Sequence, residues 1–179
     1  MVWIILIEFI SAGSVSTIEA GVPLYAVNYH SYSHDLTPAS ILQNSAIADS
    51  SVFHQLGAGS TQLWIGEAGS CGGGGRPNMS DTFANGFWYL RALGRLAQLN
   101  HTVFLRQDLV GAWYGLLRDG FAYNCTPGSS RSCVVPNVDY FSAVLFKRLM
   151  GRRVLNTSTT SDAVDVYAHC TPAGQGKER

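Results

Sequence analysis

Glu67 is the side chain in this sequence best placed to do chemistry. It follows the apolar run Leu63, Trp64, Ile65, Gly66 and precedes four consecutive glycines at positions 72–75. In parallel α/β proteins functional groups gather where strands end and loops begin. A carboxylate at the mouth of an apolar strand must meet water, a cation or a substrate. The plainer readings are a solvated loop residue or a partner for Arg106. These glycines let backbone approach a ligand closely and present N–H groups without obstruction. The glycines do not form a phosphate cradle, because neither the Gly-x-x-x-x-Gly-Lys-Ser/Thr pattern nor Gly-x-Gly-x-x-Gly occurs. Gly-x-Ser-x-Gly is also missing, although Ser70 lies in the same stretch. His30 and His34 stand four apart beside Asp35. On a helix that spacing presents two metal ligands on one face. On a strand running into a loop it loses that meaning, so no metal is expected and His30 reads as a polar strand-end residue. Arg106 and Gln107 close another apolar run and offer contacts to an anion and a hydroxyl; Arg106 can instead neutralise a buried carboxylate. Tyr114 reads either as a phenol on the same rim or as a core ring.

The elements that must position these groups follow from hydrophobic patterning. Leu24–Tyr32 is β-branched and aromatic enough for a strand, and Pro38–Leu56 has the length of a helix. Thr61–Ala68 reads as a second strand. A helix then begins near Ser80 or Asp81, either of which can cap it, with Phe83, Phe87, Leu90, Leu93 and Ala97 on one face. His101–Gln107 gives a third strand. A last helix follows Pro136 and Asn137, carries Phe141, Leu145 and Leu149 on one stripe, and stops at Gly151. Alternation of strand and helix predicts a parallel α/β sheet. Beyond Gly151, Arg153–Thr157 and Ala163–Cys170 read as the opening hairpin of a separate β unit that needs more strands to be buried. The expected division is an apolar N-terminal segment over 1–20, an α/β unit over 21–151 and the start of a β unit over 152–179.

Composition narrows the function classes. At 179 residues the chain is sized for one ordinary domain. With 46% hydrophobic and only 13% charged residues it is no disordered chain. Twelve Lys and Arg against twelve Asp and Glu remove the uniform positive field of a nucleic-acid binder. A local basic patch remains at Lys147, Arg148, Arg152 and Arg153. No apolar run approaches the roughly 18 residues of a membrane span. Val2–Ile10 followed by small polar residues resembles a signal-peptide core, yet no Lys or Arg precedes it and Glu8 interrupts it; the other reading is a buried strand or helix end. Sequons at Asn78, Asn100, Asn124 and Asn156 fit passage through a glycosylating compartment. The expectation is therefore a secretory-pathway protein, with membrane association through residues 2–10 left open. Cys125 and Cys133 bracket a Pro-, Gly- and Ser-rich loop in which a local disulfide can close; the alternative is two unpaired thiols. Without Cys-x-x-Cys spacing, a structural zinc site is not expected.

Taken in order, the motifs form a recognisable set. They are YHSY at Tyr29–Tyr32, LWIGEAGSCGGGG at Leu63–Gly75, MSDTFANGFWYL at Met79–Leu90, LRQDLVGAWYGLL at Leu105–Leu117, PNVDYFSAVLFKRLMGRRVL at Pro136–Leu155, and VYAHC at Val166–Cys170. From about Tyr25 to Cys170 the chain resembles the heparanases and heparanase-like proteins of glycoside hydrolase family 79. The resemblance implies a retaining glycosidase acting on β-linked glucuronic acid in acidic glycans or glucuronides, without a cofactor. It implies a (β/α)8 TIM barrel followed by a β-sandwich, with this chain supplying the last three βα units and the first sandwich strands. Glu67 maps onto the family nucleophile, and His30, Gly73, Gly74, Gln107 and Tyr114 onto substrate contacts. Cys170 resembles a cysteine whose disulfide partner lies at the far end of the sandwich. The family's Gly-Asn-Tyr-like segment reads Ala112-Trp113-Tyr114. Its acid/base Glu lies in an Asn-Glu-Pro motif ahead of the YHSY region, and no Asn-Glu dipeptide occurs here. The isolated chain is accordingly expected to be inactive. The competing expectation is a non-catalytic glycan-binding remnant, or a fragment of a gene with no stable fold of its own.

Overall fold

In a computed structural model, the structure describes residues 5–7, 25–32, 61–119 and 134–172. Four parallel strands form the principal sheet: β1 (Ile5–Ile7), β2 (Ala26–Tyr32), β3 (Gln62–Gly69) and β4 (His101–Arg106). They lie side by side in chain order, each hydrogen-bonded to the next. An order without reversal is that of successive parallel strands wound in one direction. Three residues of the apolar N-terminal run thus pair with Ala26–Asn28.

Helix α1 (Phe83–Gln98) connects β3 to β4 and packs on the sheet. Val27, Tyr29, Leu63, Ile65 and Ala68 from the strands meet Trp88, Tyr89, Ala92 and Leu96 from the helix in one core. The expected apolar face of α1 is corrected here. Phe83, Phe87 and Leu90 are exposed, while Asn85, Gly86, Trp88, Tyr89, Ala92, Gly94 and Leu96 are buried. The two largest aromatics, Trp88 and Tyr89, and the small residues that let the helix approach its neighbours set the inward face, rather than the Phe stripe. The cap is corrected as well. Thr82 is the N-cap, its hydroxyl donating to the Met79 carbonyl at 2.8 Å instead of to the helix. Ser80 is drawn to Ser70 (3.0 Å) and Asp81 to Arg118 (3.0 Å). The helix ends beyond Leu99 at Asn100, whose φ of 61° is the left-handed conformation that Asn tolerates.

A two-stranded antiparallel sheet, β5 (Leu117–Asp119) with β6 (Val134–Pro136), leads into helix α2 (Val138–Leu149). The helices touch where Gly86 faces Val138; a Cβ on Gly86 would lie 2.5 Å from Val138 Cγ1. The stripe Phe141, Leu145, Leu149 on α2 is also corrected, since all three are exposed while Asp139 and Ser142 are buried. Strands β7 (Val154–Leu155) and β8 (Ala168–His169) pair antiparallel, within the spans expected for a hairpin and shorter than them. No helix among the described residues is long and apolar enough to cross a membrane. The helix expected over Pro38–Leu56, His34, Asn124 and the Cys125–Cys133 loop lie outside the described residues.

Candidate functional site

The C-terminal ends of β2, β3 and β4 converge on Glu67. Pairing of β2 with β3 runs Tyr29↔Ile65 and then His30↔Glu67, so Gly66 is the extra residue of a β-bulge. Bulges re-aim side chains and are frequent next to active sites. A Cβ on residue 66 would fall 2.1 Å from Asn28 Oδ1, so glycine lets the Asn28 amide stay where it is. Beyond the bulge, Glu67 stands against the end of β2. The Tyr32 hydroxyl donates to Glu67 Oε1, and His30 Nδ1 lies 3.3 Å from Oε2. The Glu67 side chain is one-third exposed, so the carboxylate is held by neighbours yet reachable from solvent. Burial is the largest influence on the Tyr32 phenol and its hydrogen bond to Glu67 the next; both push its pKa well above the ordinary range. Tyr32 therefore stays a protonated donor at neutral pH.

Behind this carboxylate sits a buried cation. Arg106 donates to the carbonyls of Ala68 (3.2 Å), Gln107 and Tyr114 (2.6 Å), and its Nη2 pairs with Asp139 Oδ2 at 2.7 Å. Asn85 donates to the same Asp139 oxygen at 2.6 Å. The guanidinium lies 5.1–5.3 Å from the ring centroids of Trp88, Tyr89 and Tyr114, a distance at which aromatic faces attract cations. Arg106 thus takes the buried-carboxylate alternative, with Asp139 and not Glu67 as its partner. Burial raises the Asp139 pKa, and Arg106 opposes that rise.

Tyr114 takes the core alternative, with its phenol turned toward Tyr32. Its ring is buried, and its phenol shares a side-chain hydrogen bond with Tyr32. Gly69 makes room for this pair, since a Cβ there would lie 2.7 Å from the Tyr114 ring and 2.9 Å from that of Tyr32. Gln107, at the end of β4, gives its N–H to the Ala68 carbonyl at 2.8 Å, which seats it beside the Glu67 strand end. Gly73 and Gly74 adopt φ values of 69° and 90° in the turn after β3. The Gly74 carbonyl accepts from Trp113 N–H at 2.8 Å, tying the glycine turn to the Tyr114 loop. Gly73 is open on its side-chain face, with nothing within 4 Å of a built Cβ. All six expected site residues therefore lie on one end of the sheet.

Tyr32 and Asp139 carry roles that the sequence does not assign, whereas the buried-carboxylate pairing of Arg106 is one of its two expected roles. Tyr32 had a signal: two residues after His30 on a strand, it shares that residue's face. Asp139 had none, because its link to Arg106 spans 33 positions. Among the described residues no group of three or more His, Cys, Asp or Glu could hold a metal ion. Cys71 and Cys170 are free thiols. Asn78, Asn100 and Asn156 are exposed.

Known proteins are similar to parts of this chain in sequence and in fold. Residues 34–94 match the family model described as glycosyl hydrolase family 79, N-terminal domain. Baicalin-beta-D-glucuronidase of Scutellaria baicalensis is 44% identical over 114 residues, 63% of this chain and 19% of that protein. Heparanase-like protein 1 of Arabidopsis thaliana is 43% identical with the same coverage. Heparanase of Rattus norvegicus is 39% identical over 62% of this chain and 19% of its own length. The chain spans about a fifth of the length of these relatives. The crystal structure of a 4-O-alpha-L-rhamnosyl-beta-D-glucuronidase from Fusarium oxysporum 12S superposes with a TM-score of 0.52 at 18% identity, covering 73% of this chain and 27% of that one. By sequence, about 114 residues of the chain are similar to heparanases and a glucuronidase, and residues 34–94 are similar to the N-terminal domain of glycosyl hydrolase family 79.

Proposed function

We propose that this chain carries the nucleophile half of a retaining glycosidase site for β-linked glucuronic acid, with Glu67 as the nucleophile. The observation that supports this most directly is a strand-end carboxylate gripped by Tyr32 and His30 beside a glycine turn. Tyr32 holds Oε1 and His30 stands 3.3 Å from Oε2, so both contacts orient the carboxylate that would attack the anomeric carbon. Attack forms a glycosyl ester on Glu67 as the bond to the leaving oxygen breaks, and that oxygen takes a proton from a second carboxyl about 5 Å away. Gly73, Gly74, Gln107 and the phenol of Tyr114 are the groups that would meet the uronic carboxylate and sugar hydroxyls. The fold reading that goes with this is the last three βα units of a (β/α)8 barrel and the first strands of a sandwich. The sequence contains no Asn-Glu dipeptide. The acid is then supplied from outside these 179 residues, and the isolated chain does not turn over ordinary glucuronides. That same lack favours a second reading, glycan binding without chemistry.

A leaving group that needs no proton separates the two. The full chain is incubated with 2-deoxy-2-fluoro-β-D-glucuronyl fluoride, which loses fluoride directly, and its peptides are weighed. The nucleophile reading expects one added fluoroglucuronyl group on the peptide containing Glu67 and none on Glu67→Gln. Label on another residue, equal label on both proteins, or none on either refutes it. Turnover of phenyl β-D-glucuronide that disappears in Glu67→Gln would show instead that the acid lies within the chain.

A further inference from the structure

Three Asn-x-Ser/Thr sequons lie among the described residues, at Asn78, Asn100 and Asn156, and the fold does not present them alike. An N-glycosylating transferase grips its acceptor as a short extended segment and needs two groups free at once, the asparagine amide and the hydroxyl two residues on. At Asn78 the backbone is left-handed, with a φ of 60°. Ser80 is 1% exposed, and its hydroxyl accepts from Ser70 Oγ and from the Arg76 N–H, both at 3.0 Å. Asn100 is left-handed too, at a φ of 61°. Its sequon is held in the sheet: His101 pairs with Leu63, and the Thr102 hydroxyl donates to Gln62 Oε1 at 2.9 Å.

Asn156 differs on each count. It follows β7 where the chain runs on without helix or turn, and its φ is not left-handed. Thr157 turns toward α1, its hydroxyl donating to the Val166 carbonyl at 2.7 Å and accepting from Gln98 Nε2 at 2.9 Å. Alternation along an uncoiled chain puts its two neighbours on the other side, and both Asn156 and Ser158 are exposed. Among the described residues the Ser158 hydroxyl has no hydrogen-bond partner. Position separates the sites as well. Asn78 stands in the turn between β3 and α1, at the Glu67 end of the sheet, whereas Gln98 closes α1 at the opposite end, just ahead of β4. A glycan on Asn156 therefore leaves Glu67 open, and it covers Asn100, which lines the same cavity.

We infer that, of these three, Asn156 is the sequon that the folded chain offers for N-glycosylation, with a lipid-pyrophosphate-linked oligosaccharide as the donor class. The new bond joins C1 of the donor's first sugar to Asn156 Nδ2. The bond from C1 to the pyrophosphate breaks, the pyrophosphate leaves with the electron pair, and the amide gives one proton to a base of the transferase. Asn78 and Asn100 react only through local opening, at a rate set by the small population of the opened state. This order runs against the sequence, because Thr at the third position makes a better acceptor than Ser in an unstructured chain, and only Asn100 of the three has it.

The test uses the full chain, folded and made without glycan, incubated with a purified single-subunit oligosaccharyltransferase and its lipid-pyrophosphate donor, after which its peptides are weighed. Unstructured peptides spanning each of the three sequons are treated in parallel. All three peptides are expected to react, the Asn100 peptide fastest. In the folded chain Asn156 is expected to react at least about tenfold faster than Asn78 or Asn100. Ser158→Ala, an exposed change, abolishes modification at Asn156 and leaves the urea midpoint where it was. Modification of the folded chain in the order of the peptides, modification of Asn78 or Asn100 at the rate of Asn156, or no modification at any of the three overturns the assignment. So does modification of Asn156 that survives in Ser158→Ala. A peptide set that already prefers Asn156 overturns it as well, because the selectivity then belongs to the sequence and not to the fold.

Discussion

A single guanidinium fixes the geometry around Glu67. Arg106 joins the carbonyl following Glu67 in β3, the carbonyl of Tyr114 and the carboxylate of Asp139. Arg106 and Asp139 side chains are 4% and 2% exposed, so removing one partner strands a charge in the interior. Arg106→Ala is expected to cost roughly 3–5 kcal/mol, read as a lower urea midpoint at unchanged slope. Arg106→Lys should recover little, because one ammonium cannot serve three carbonyls and a carboxylate in the planar fork that Arg provides. The double variant Arg106→Met, Asp139→Leu should lose less than Arg106→Ala alone, since it leaves no unpaired charge. Asp139 was invisible in the sequence, where it reads as an acidic first-turn residue after Asn137 that favours the helix dipole. Its actual partner is brought to it by the packing of α2 on α1 and β4, and no local pattern encodes that.

The C-terminal hairpin is tied to the first helix by shape as well as by charge. Gly94 on α1 lies under the Tyr167 ring, and a Cβ there would sit 2.3 Å from Tyr167 Cγ. Arg91 pairs with Asp165 at 2.8 Å, and Gln98 donates to Thr157 at 2.9 Å. Gly94→Ala improves helix propensity by about 0.5–1 kcal/mol, but the clash costs roughly 1–3 kcal/mol. The clash should win, turning Tyr167 out and loosening residues 152–172. Faster tryptic cleavage at Arg152 and Arg153 and faster amide exchange over β7 and β8 are the expected signs; unchanged exchange would mean that Tyr167 is not what holds the hairpin. Element positions here were legible from periodicity, yet the inward faces were not. On both helices the apolar stripe that a helical wheel assigns to the core points outward, with Phe83, Phe87, Phe141, Leu145 and Leu149 all exposed. A wheel ranks residues by hydrophobicity, whereas the packing here is set by the close helix approach at Gly86 and by the buried ion pair. Phe87→Gln or Leu145→Gln should therefore raise solubility and shift the melting midpoint by no more than about 0.5 kcal/mol equivalent.

Across the whole molecule, buried phenols give stability a pH limit on the alkaline side. Burial raises the pKa of Tyr29 and Tyr89, the latter from 10.0 to about 12. Above pH 10 the unfolded chain has lost phenol protons that the folded chain still holds, so the unfolded state binds fewer protons and stability falls as pH rises. Below pH 10 both states are protonated and this contribution is fully present. Urea midpoints should be flat between pH 8 and 9.5 on this account and fall by pH 11, and Tyr89→Phe should flatten that decline. The places of β2, β3, β4, α1 and α2, the strand end that bears Glu67 and the glycine turn that follows it were legible in local pattern, because period-2 and period-3.6 hydrophobicity and glycine runs act over a few residues, whereas the short pair β5 and β6 was not. The rest was decided by tertiary structure: the bulge at Gly66 that sets Glu67 against Tyr32, the choice of Asp139 as the partner of Arg106, and the outward apolar stripes. Those features arise from contacts between residues tens of positions apart, where geometry selects which of several chemically acceptable partners meet.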